Sequence, residues 1–352
     1  MASPIASSLD GGFANLIVVS TFYHLLLACL VARDPRFPGR CLLVINPERS
    51  QMAAIGDALG EAVDSPFAAI RVMPKASGTK LAGERMRGRW LEQLDAVIRP
   101  ARVIIFTDQR PDNQLLCRRA AARGAATFCG EDGGSAYSSR SWAVPWRRHW
   151  RRRLCFGPWI ENNAAAGSSR HVQTFLALHP QLVRSELQRK PLWALERRAL
   201  PDLLSTTWIQ RFLGHFDVSI DALGCDELIV PTSSKALGSP ERLRSLLTEE
   251  IRAARASGRD CIVKYHPRER DDFLGAQALG ARLLPSAIPV ELIYLASAER
   301  LRRVVGDTGT TLLSARWLAP RAQAVSVLNQ LTEMSDPTYL RALECLGVEL
   351  LA

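Results

Sequence analysis

Two short polar motifs, far apart in the chain, contain the side chains best suited to chemistry. The first is Glu131-Asp132-Gly133, and the second runs from Lys264 through His266 to Arg268. Each directly follows a short apolar run that is typical of a buried strand. Ligands of open α/β sheets bind at the carboxyl ends of strands. We therefore expect a carboxylate and an imidazole that together serve a group transfer, in which one accepts a proton and the other donates one.

The acidic motif places adjacent carboxylates on a tight loop. Gly133 and Gly134 follow the two acids, and glycines allow a sharp turn and the close approach of another molecule. We interpret Glu131 as a general base that takes the proton of an acceptor hydroxyl, with Asp132 as a second candidate for this role. A solvent-exposed turn without a function is the alternative for so short a motif.

His266 differs from the other histidines because it ends an apolar run and precedes a proline. Pro267 favours an extended backbone at His266. Lys264 and Arg268 place positive charge beside the ring, which suits an anionic phosphate. We therefore expect His266 to protonate or stabilise a departing phosphate oxygen. His24, by contrast, lies in an apolar helical pattern and needs no function.

A third element leads from a predicted strand into a predicted helix at residues 306–311, with the sequence GDTGTT. Hydroxyls and backbone N–H groups at a helix N-terminus bind anions, so Thr310 and Thr311 are candidates to hold a phosphate. Plain capping of the helix by Asp307 or Thr308 is the alternative. The chain contains no G-x-x-x-x-G-K-[ST] motif, which excludes a P-loop.

Two more helix starts are candidates for nucleotide contacts. Gly238 and Ser239 lie in a loop that follows the first strand of the second half, and Glu241 opens the next helix. An ordinary connection, with Ser239 as the cap and proline at the first helical position, explains the same residues. Glu291 opens another helix and is expected to accept hydrogen bonds from ribose hydroxyls, although acids are common in first turns.

Length and composition indicate a globular protein of two domains with an anionic partner. The chain has 352 residues, 47% of them hydrophobic and 23% charged, and a net charge of +10. Such a charge favours a nucleotide, a nucleic acid or an acidic membrane surface. The eight cysteines never form C-x-x-C, so neither a zinc site nor a disulfide framework is expected, and a reducing compartment is the simpler interpretation.

The segment from Phe13 to Ala32 is the one stretch whose hydrophobicity approaches that of a membrane span. It contains Asn15, Ser20 and His24, and no Lys or Arg precedes it. A signal peptide needs a basic n-region. We predict a strand at 15–20 followed by a helix at 22–32, and therefore a cytoplasmic protein.

Apolar, β-rich runs alternate with amphipathic helical patterns in both halves of the chain. The predicted strands are 15–20, 41–46, 69–73, 102–107, 125–129, 226–230, 261–265, 302–306 and 322–327, and the helices between them are 22–32, 51–63, 80–99, 112–123, 241–257, 289–299, 309–318 and 336–347. A helical region is expected at about 181–213. The fold class is α/β with two Rossmann-like domains that face a central cleft, the GT-B architecture. The expected domains are 1–165 and 221–352, joined by a helical linker at 166–220.

The segment from Trp146 to Arg153 combines tryptophans with a run of arginines. This composition suggests contact with anionic lipid headgroups or an acidic glycan, and hence an enzyme peripheral to the inner membrane. Single-stranded nucleic acid and a merely solvated helix face are the alternatives.

The three polar elements, in this order, resemble those of bacterial sialyltransferases, in particular the lipooligosaccharide sialyltransferases of glycosyltransferase family 52, related to the capsule polysialyltransferases. That family has an acidic motif, an H-P motif and a serine/threonine motif, which match Glu131-Asp132-Gly133, His266-Pro267 and Thr310-Thr311. The similarity extends at a low level from about Asn15 to Ala319. The Trp/Arg segment has no counterpart that we can match.

The resemblance implies a metal-independent, inverting transfer of sialic acid from CMP-sialic acid to a terminal sugar of a surface glycan or glycolipid, without a cofactor. Glu131 would be the base and His266 the acid, and Thr310 and Thr311 would hold the donor phosphate. The resemblance also implies further residues that bind the nucleotide-sugar donor in the C-terminal domain, namely Lys264, Pro267, Gly238, Ser239 and Glu291. In enzymes of the family-52 type, the general base has also been assigned to the loop before the H-P strand, which points to Glu241.

Two alternatives remain open from the sequence. A transferase that uses another donor, such as CMP-Kdo for capsule polysaccharide, would have much the same fold and motifs. A non-catalytic nucleic-acid-binding protein would explain the charge and the arginine run, although we expect no nucleic-acid partner.

Overall fold

The computed structural model of the protein describes residues 12–48, 50–75, 78–196, 200, 203–232, 240–269, 271–307, 310–328 and 336–351. These residues form two compact units. The first unit contains the residues up to Ala136 and those from Arg140 to Leu200. The second contains Tyr137–Ser139 and the residues from Leu203 onward.

The first unit is built on a parallel sheet with helices between the strands. Among the described residues the sheet has seven strands, in the order β3-β2-β1-β4-β5-β6-β7. The strands are β1 (Asn15–Val19), β2 (Cys41–Ile45), β3 (Ala69–Val72), β4 (Arg102–Ile105), β5 (Ala126–Gly130), β6 (Thr174–Ala177) and β7 (Leu192–Ala194). The helices are α1 (Phe22–Arg33), α2 (Ser50–Gly60), α3 (Lys80–Ile98), α4 (Pro111–Ala122) and α5 (Trp146–Phe156).

The second unit repeats this architecture. Its parallel sheet has six strands among the described residues, in the order β10-β9-β8-β11-β12-β13. The strands are β8 (Glu227–Val230), β9 (Cys261–Val263), β10 (Arg282–Leu283), β11 (Arg303–Gly306), β12 (Gln323–Ser326) and β13 (Glu349–Leu350). The helices are α6 (Thr207–Gly214), α7 (Pro240–Ala256), α8 (Val290–Ser297), α9 (Thr310–Leu318) and α10 (Pro337–Cys345).

The apolar segment near the N-terminus forms a strand and a helix, as predicted. All five residues of β1 are buried, and they pair in parallel with β2 on one side and β4 on the other. Thr21, shortly after β1, is the N-cap of α1, and its hydroxyl accepts a hydrogen bond from the backbone N–H of His24. Within the described parts of the chain, no helix has both the length and the apolar character needed to cross a membrane.

In each sheet the order of the strands reverses at one place. The chain runs outward from β1 through β2 to β3, and then returns to the other side of β1 with β4. The same reversal separates β9 and β11 on the two sides of β8. The loops at the carboxyl ends of the strands diverge at such a point and leave a crevice in which ligands bind.

The α/β class with two parallel sheets is confirmed, and each predicted strand has its counterpart among β1–β5, β8, β9, β11 and β12. The prediction of a helical region at 181–213 is wrong for most of the described residues in this range. Strand β7 lies in this range and pairs with β6 in the first sheet, and among the described residues the helical structure is limited to short 3₁₀ turns at Pro180–Leu182 and Leu203–Ser205 and to α6 from Thr207. Residues 166–196 and Leu200 therefore belong to the first unit. The Leu- and Arg-rich pattern there favours helix, but β7 is an edge strand of three residues whose conformation depends on pairing with β6.

Candidate functional site

Glu131 lies directly after β5, at the carboxyl edge of the first sheet, and is buried, with 1% of its surface exposed. The Tyr23 hydroxyl donates a hydrogen bond to its Oε1 atom. The backbone N–H of Leu178 donates to its Oε2 atom over 2.9 Å. Both carboxylate oxygens are therefore engaged, and Glu131 joins the first turn of α1 to the end of β6.

Asp132 is the accessible carboxylate of the acidic motif. Its side chain is 38% exposed, and its Oδ1 atom lies 2.8 Å from Nε2 of His24. On the other side of the ring, the backbone N–H of Ser20 donates to Nδ1 over 3.4 Å. Since Nδ1 accepts, the proton of the neutral imidazole lies on Nε2 and is donated to Asp132.

Local structure fixes the position of the His24 ring. The cap at Thr21 starts the helix directly after β1, so His24 lies in the first turn at the same sheet edge as the acidic motif. The ring stacks on Phe106, which follows β4, with 5.0 Å between centroids and 14° between planes. Phe106 in turn lies against Gly130, where a β-carbon would be 2.4 Å from its ring. Gly130 thus gives Phe106 the space that it needs to support His24.

The backbone directs the chain away from the sheet after Asp132. Gly133 has a φ of +60°, in the left-handed region that glycine adopts without strain. A short 3₁₀ turn follows at Gly133–Ala136, and the Ser135 hydroxyl donates to the Asp132 carbonyl over 3.1 Å. This turn holds Asp132 at the edge of the sheet.

A second buried carboxylate organises the same edge. Asp108 lies after β4 and accepts the backbone N–H groups of Gly167 and Ser169, each over 2.7 Å, and the Asn163 amide over 3.0 Å. Burial raises the pKa of Asp108 to about 6, against the lowering effect of these backbone donors. Asp108 therefore holds the segment around Gly167 and Ser169 in place beside the strand ends.

Two residues of this site were missed by the sequence analysis. His24 was interpreted as part of an apolar helix, and Tyr23 was not considered. The signal that could have found them is the pair Ser20-Thr21, since a Ser or Thr cap right after a strand places the next residues in a first helical turn at the carboxyl edge.

In the second unit, His266 follows β9 and is half-buried. Its Nδ1 atom accepts the backbone N–H of Arg268 over 3.1 Å. The proton of the neutral ring therefore lies on Nε2, which is a hydrogen-bond donor. Pro267, the next residue, is exposed.

Lys264 and Glu291 are brought together in the interior of the second unit. The Lys264 ammonium donates to the carbonyls of Tyr265, over 2.5 Å, and Ser286, over 3.0 Å. Burial lowers the pKa of Lys264 to about 8, and burial raises the pKa of Glu291 to about 6, while each charge opposes the shift of the other. Both groups are thus charged between about pH 6 and 8. Lys264, expected to contact a phosphate, donates these two hydrogen bonds to backbone carbonyls and so fixes the loop that carries His266.

The helix start at Thr310 and Thr311 is joined to α8. Both threonines are half-buried, and the Tyr294 hydroxyl donates to the Thr311 carbonyl over 3.1 Å. Tyr294 lies one turn after Glu291 on α8. The predicted ribose-contacting and phosphate-contacting helices are therefore neighbours at one edge of the second sheet.

Asp307 follows β11, and its carboxylate accepts a hydrogen bond from the end of the neighbouring strand. The backbone N–H of Thr232, after β8, donates to its Oδ1 atom over 3.0 Å. Gly238 and Ser239 lie outside the described residues. Glu241, the other candidate base, is exposed in the first turn of α7.

Within the described ranges, no cluster of three or more histidine, cysteine, aspartate or glutamate side chains is arranged to hold a metal ion. A cleft of about 870 Å³ in the first unit lies between α3 and α4 and includes Ala101 and Ala125. These two residues precede β4 and β5, so this cleft lies at the amino edge of the sheet, opposite the acidic motif.

No protein-family model matches the chain, and no curated protein matches its sequence. Solved structures do match its fold. The α/β-galactoside α-2,3-sialyltransferase of the luminous marine bacterium Photobacterium phosphoreum is 13% identical, with a TM-score of 0.53, and the match covers 97% of this chain and 99% of that one.

Two sugar-nucleotide epimerases are similar to the same degree. The UDP-GlcNAc 2-epimerase of Methanocaldococcus jannaschii, in complex with UDP-GlcNAc and UDP, is 11% identical, with a TM-score of 0.56 over 96% of this chain and 88% of that one. The enzyme of Neisseria meningitidis, bound to UDP-GlcNAc, is 10% identical, with a TM-score of 0.55 over 94% and 85%. These likenesses, together with the two parallel sheets, show that the chain has the GT-B fold, with two Rossmann-like α/β domains.

Proposed function

We propose that the chain is an inverting glycosyltransferase that moves sialic acid from CMP-sialic acid to a terminal sugar of a bacterial surface glycan. The observation that carries this proposal is the fold similarity to a bacterial sialyltransferase over nearly the full length of both chains. The polar motifs that resemble sialyltransferase motifs follow β5, β9 and β11, at the carboxyl ends of parallel strands.

Asp132 is the better candidate for the general base within the acidic motif. Its carboxylate is partly exposed and accepts a hydrogen bond from His24, whereas both oxygens of Glu131 are engaged in the interior. The N-terminus of α1 favours negative charge beside it. We propose a structural role for Glu131: its hydrogen bonds with Tyr23 and with the backbone at the end of β6 fix the acidic motif so that Asp132 faces the acceptor.

On the donor side, His266 acts through its Nε2–H group. The acceptor oxygen gives its proton to Asp132 and forms the new bond to the anomeric carbon. The bond between that carbon and the phosphate oxygen breaks, and its electron pair leaves with CMP. His266 donates a hydrogen bond or its proton to that oxygen, and the N-terminus of α9 at Thr310 and Thr311 stabilises the phosphate. Neither a metal nor a cofactor takes part in this scheme.

The test is CMP release from CMP-sialic acid in the presence of a galactoside acceptor and EDTA. The wild type is expected to release CMP and to form a sialylated product. Asp132→Asn and His266→Gln are each expected to lower kcat by about 10²- to 10⁴-fold, since each removes a proton-transfer or hydrogen-bonding group. Glu241→Gln is expected to retain activity.

Matched controls separate chemistry from folding. Asp57→Asn and His215→Gln change the same residue types at exposed positions and are expected to leave the rate unchanged. Turnover of CMP-Kdo but not CMP-sialic acid would correct the donor and leave the transferase class in place. Conversion of UDP-GlcNAc without transfer, or equal activity of Asp132→Asn and the wild type, would contradict the proposal.

A further inference from the structure

Helix α5 presents an apolar stripe to solvent. Trp146, Trp150 and Leu154 are exposed over 66%, 54% and 83% of their surfaces. They are spaced four residues apart, so they follow one another along a single face of the helix. Trp142, before the helix, is exposed over 49%. Large apolar side chains grouped in this way mark an interaction surface more often than a solvated face.

Arginines border this stripe on both sides. At about 100° per residue, the three apolar side chains span about 80° of the helix circumference. Arg147 and Arg151 fall beyond the Leu154 side of the stripe, and Arg153 falls beyond the Trp146 side. The guanidinium of Arg147 lies over the Trp146 ring and that of Arg153 over the Trp150 ring, at 5.5 and 5.4 Å from the ring centroids.

The opposite face of α5 is fixed to the body of the first unit. Arg152 is buried and donates to Glu84 of α3 over 2.9 Å and to the Gln109 carbonyl over 3.1 Å. Arg148 lies 3.8 Å from the same Glu84 carboxylate. The helix is therefore anchored through one face, and the stripe points outward.

We propose that the outer face of α5 binds the surface of an anionic lipid bilayer, with Trp146, Trp150 and Leu154 inserted at the level of the headgroups. Helices that lie in a membrane interface have an apolar face with tryptophan or leucine and basic residues at its borders. Residues 134–160 contain no aspartate or glutamate, so this segment has no negatively charged side chain that would repel anionic headgroups. Leu154, the most exposed of the three, offers an aliphatic chain, which suits acyl chains better than the bases of a nucleic acid.

The hydrogen bond from Arg152 to Gln109 also places α5 near the candidate site of the first unit. Gln109 lies in the loop after β4, at the carboxyl edge where Asp132 and His24 meet. Helix α5 is therefore attached to the unit beside the sheet edge that carries the acidic motif. This proposal does not depend on the identity of the sugar donor.

The experiment is co-sedimentation of the full chain with vesicles of phosphatidylcholine alone and with vesicles that also contain phosphatidylglycerol. The wild type is expected to sediment with the anionic vesicles and to remain in the supernatant with the neutral ones. Two triple variants are each expected to weaken binding about tenfold or more. One combines Trp146→Ser, Trp150→Ser and Leu154→Ser, and the other combines Arg147→Gln, Arg151→Gln and Arg153→Gln. Tryptophan fluorescence of the wild type should shift to shorter wavelength with anionic vesicles only.

Two control variants change comparable exposed residues elsewhere. Val63→Ser removes an exposed apolar side chain and Arg321→Gln an exposed arginine, and both are expected to bind as the wild type does. Five of the six substituted side chains of α5 are exposed and Arg153 is half-buried, so the thermal midpoints of both variants should be close to that of the wild type. A wild type that stays in the supernatant, or equal losses in the controls, would overturn the proposal. So would arginine-dependent binding of a single-stranded oligonucleotide without vesicle binding.

Discussion

His24 and Asp132 form a hydrogen-bonded pair at the carboxyl edge of the first sheet, with 2.8 Å between Nε2 and Oδ1. The pair depends on three strands. His24 follows β1, Asp132 follows β5, and β4 lies between them and contributes Phe106, on which the imidazole stacks. Since Ser20 donates to Nδ1, the ring is oriented as a donor toward the carboxylate that we propose as the general base.

Removal of the imidazole should impair catalysis without loss of the fold. His24→Phe keeps a ring that can stack on Phe106 but removes the donor to Asp132. We expect kcat to fall by about 10- to 100-fold, because Asp132 loses the hydrogen-bond donor that orients its carboxylate. Steady-state kinetics of the variant and the wild type measures the loss.

An independent check is the nitrogen NMR spectrum of His24 in the wild type. Nε2 should give the signal of a protonated nitrogen and Nδ1 that of an unprotonated one. The opposite tautomer, or an unchanged kcat in His24→Phe, would contradict the orienting role.

Gly130→Ala should destabilise the first unit, because the added β-carbon would lie 2.4 Å from Phe106 and must displace it. We expect a loss of about 1–3 kcal/mol in the free energy of unfolding. Gly60→Ala is the matched control, since no heavy atom outside its chain neighbours and its own helix backbone lies within 4 Å of the position of its β-carbon. Urea denaturation of both variants gives the comparison, and equal stability of the two would show that the space at Gly130 is not needed.

Lys264 should make stability depend on pH in the alkaline range. Its pKa is lowered from 10.5 to about 8 by burial, so the folded state binds fewer protons than the unfolded state between these values. Stability relative to Lys264→Met should therefore rise as pH increases from about 8 to 10.5, by up to about 3 kcal/mol. Thermal or urea unfolding of both proteins over this range measures the difference, and a difference that is constant with pH would contradict the lowered pKa.

Asp336 should be essential for the stability of the second unit. Its carboxylate accepts the Ser138 hydroxyl over 2.6 Å and the Ser139 N–H and hydroxyl over 2.7 Å each, and it caps α10. Asp336→Asn turns one acceptor into a donor that faces other donors, so we expect a loss of about 2–3 kcal/mol. Asp57→Asn, at an exposed helical position, should have little effect.

The difference between wild type and Asp336→Asn should itself depend on pH. Burial raises the pKa of Asp336, but the hydrogen bonds from Ser138 and Ser139 outweigh it, so the pKa lies below 3.8. The stabilisation is therefore complete above pH 3.8 and is lost as pH falls through the lowered value. Urea denaturation at neutral and acidic pH tests this, and a gap that persists after protonation would argue against the ionised acceptor.

Short-range pattern was sufficient to predict the repeated strand–helix units and the placement of polar motifs at strand ends. The period of buried residues reports local structure, because each strand or helix must bury one side. Glu131, His266 and Thr310 accordingly lie after or at the start of the predicted elements. The same reasoning failed for β6 and β7, which depend on partners from elsewhere in the chain.

The amino-acid sequence by itself determined that acidic and basic motifs end the strands of two α/β sheets, since hydrophobic period and turn residues are local properties. Only the tertiary structure decided that Asp132, and not its neighbour Glu131, is accessible, and that His24 is its partner. Adjacent residues at a strand end point in different directions, and the environment of each is set by α1 and β6, which reach the acidic motif only when the parallel sheet is assembled.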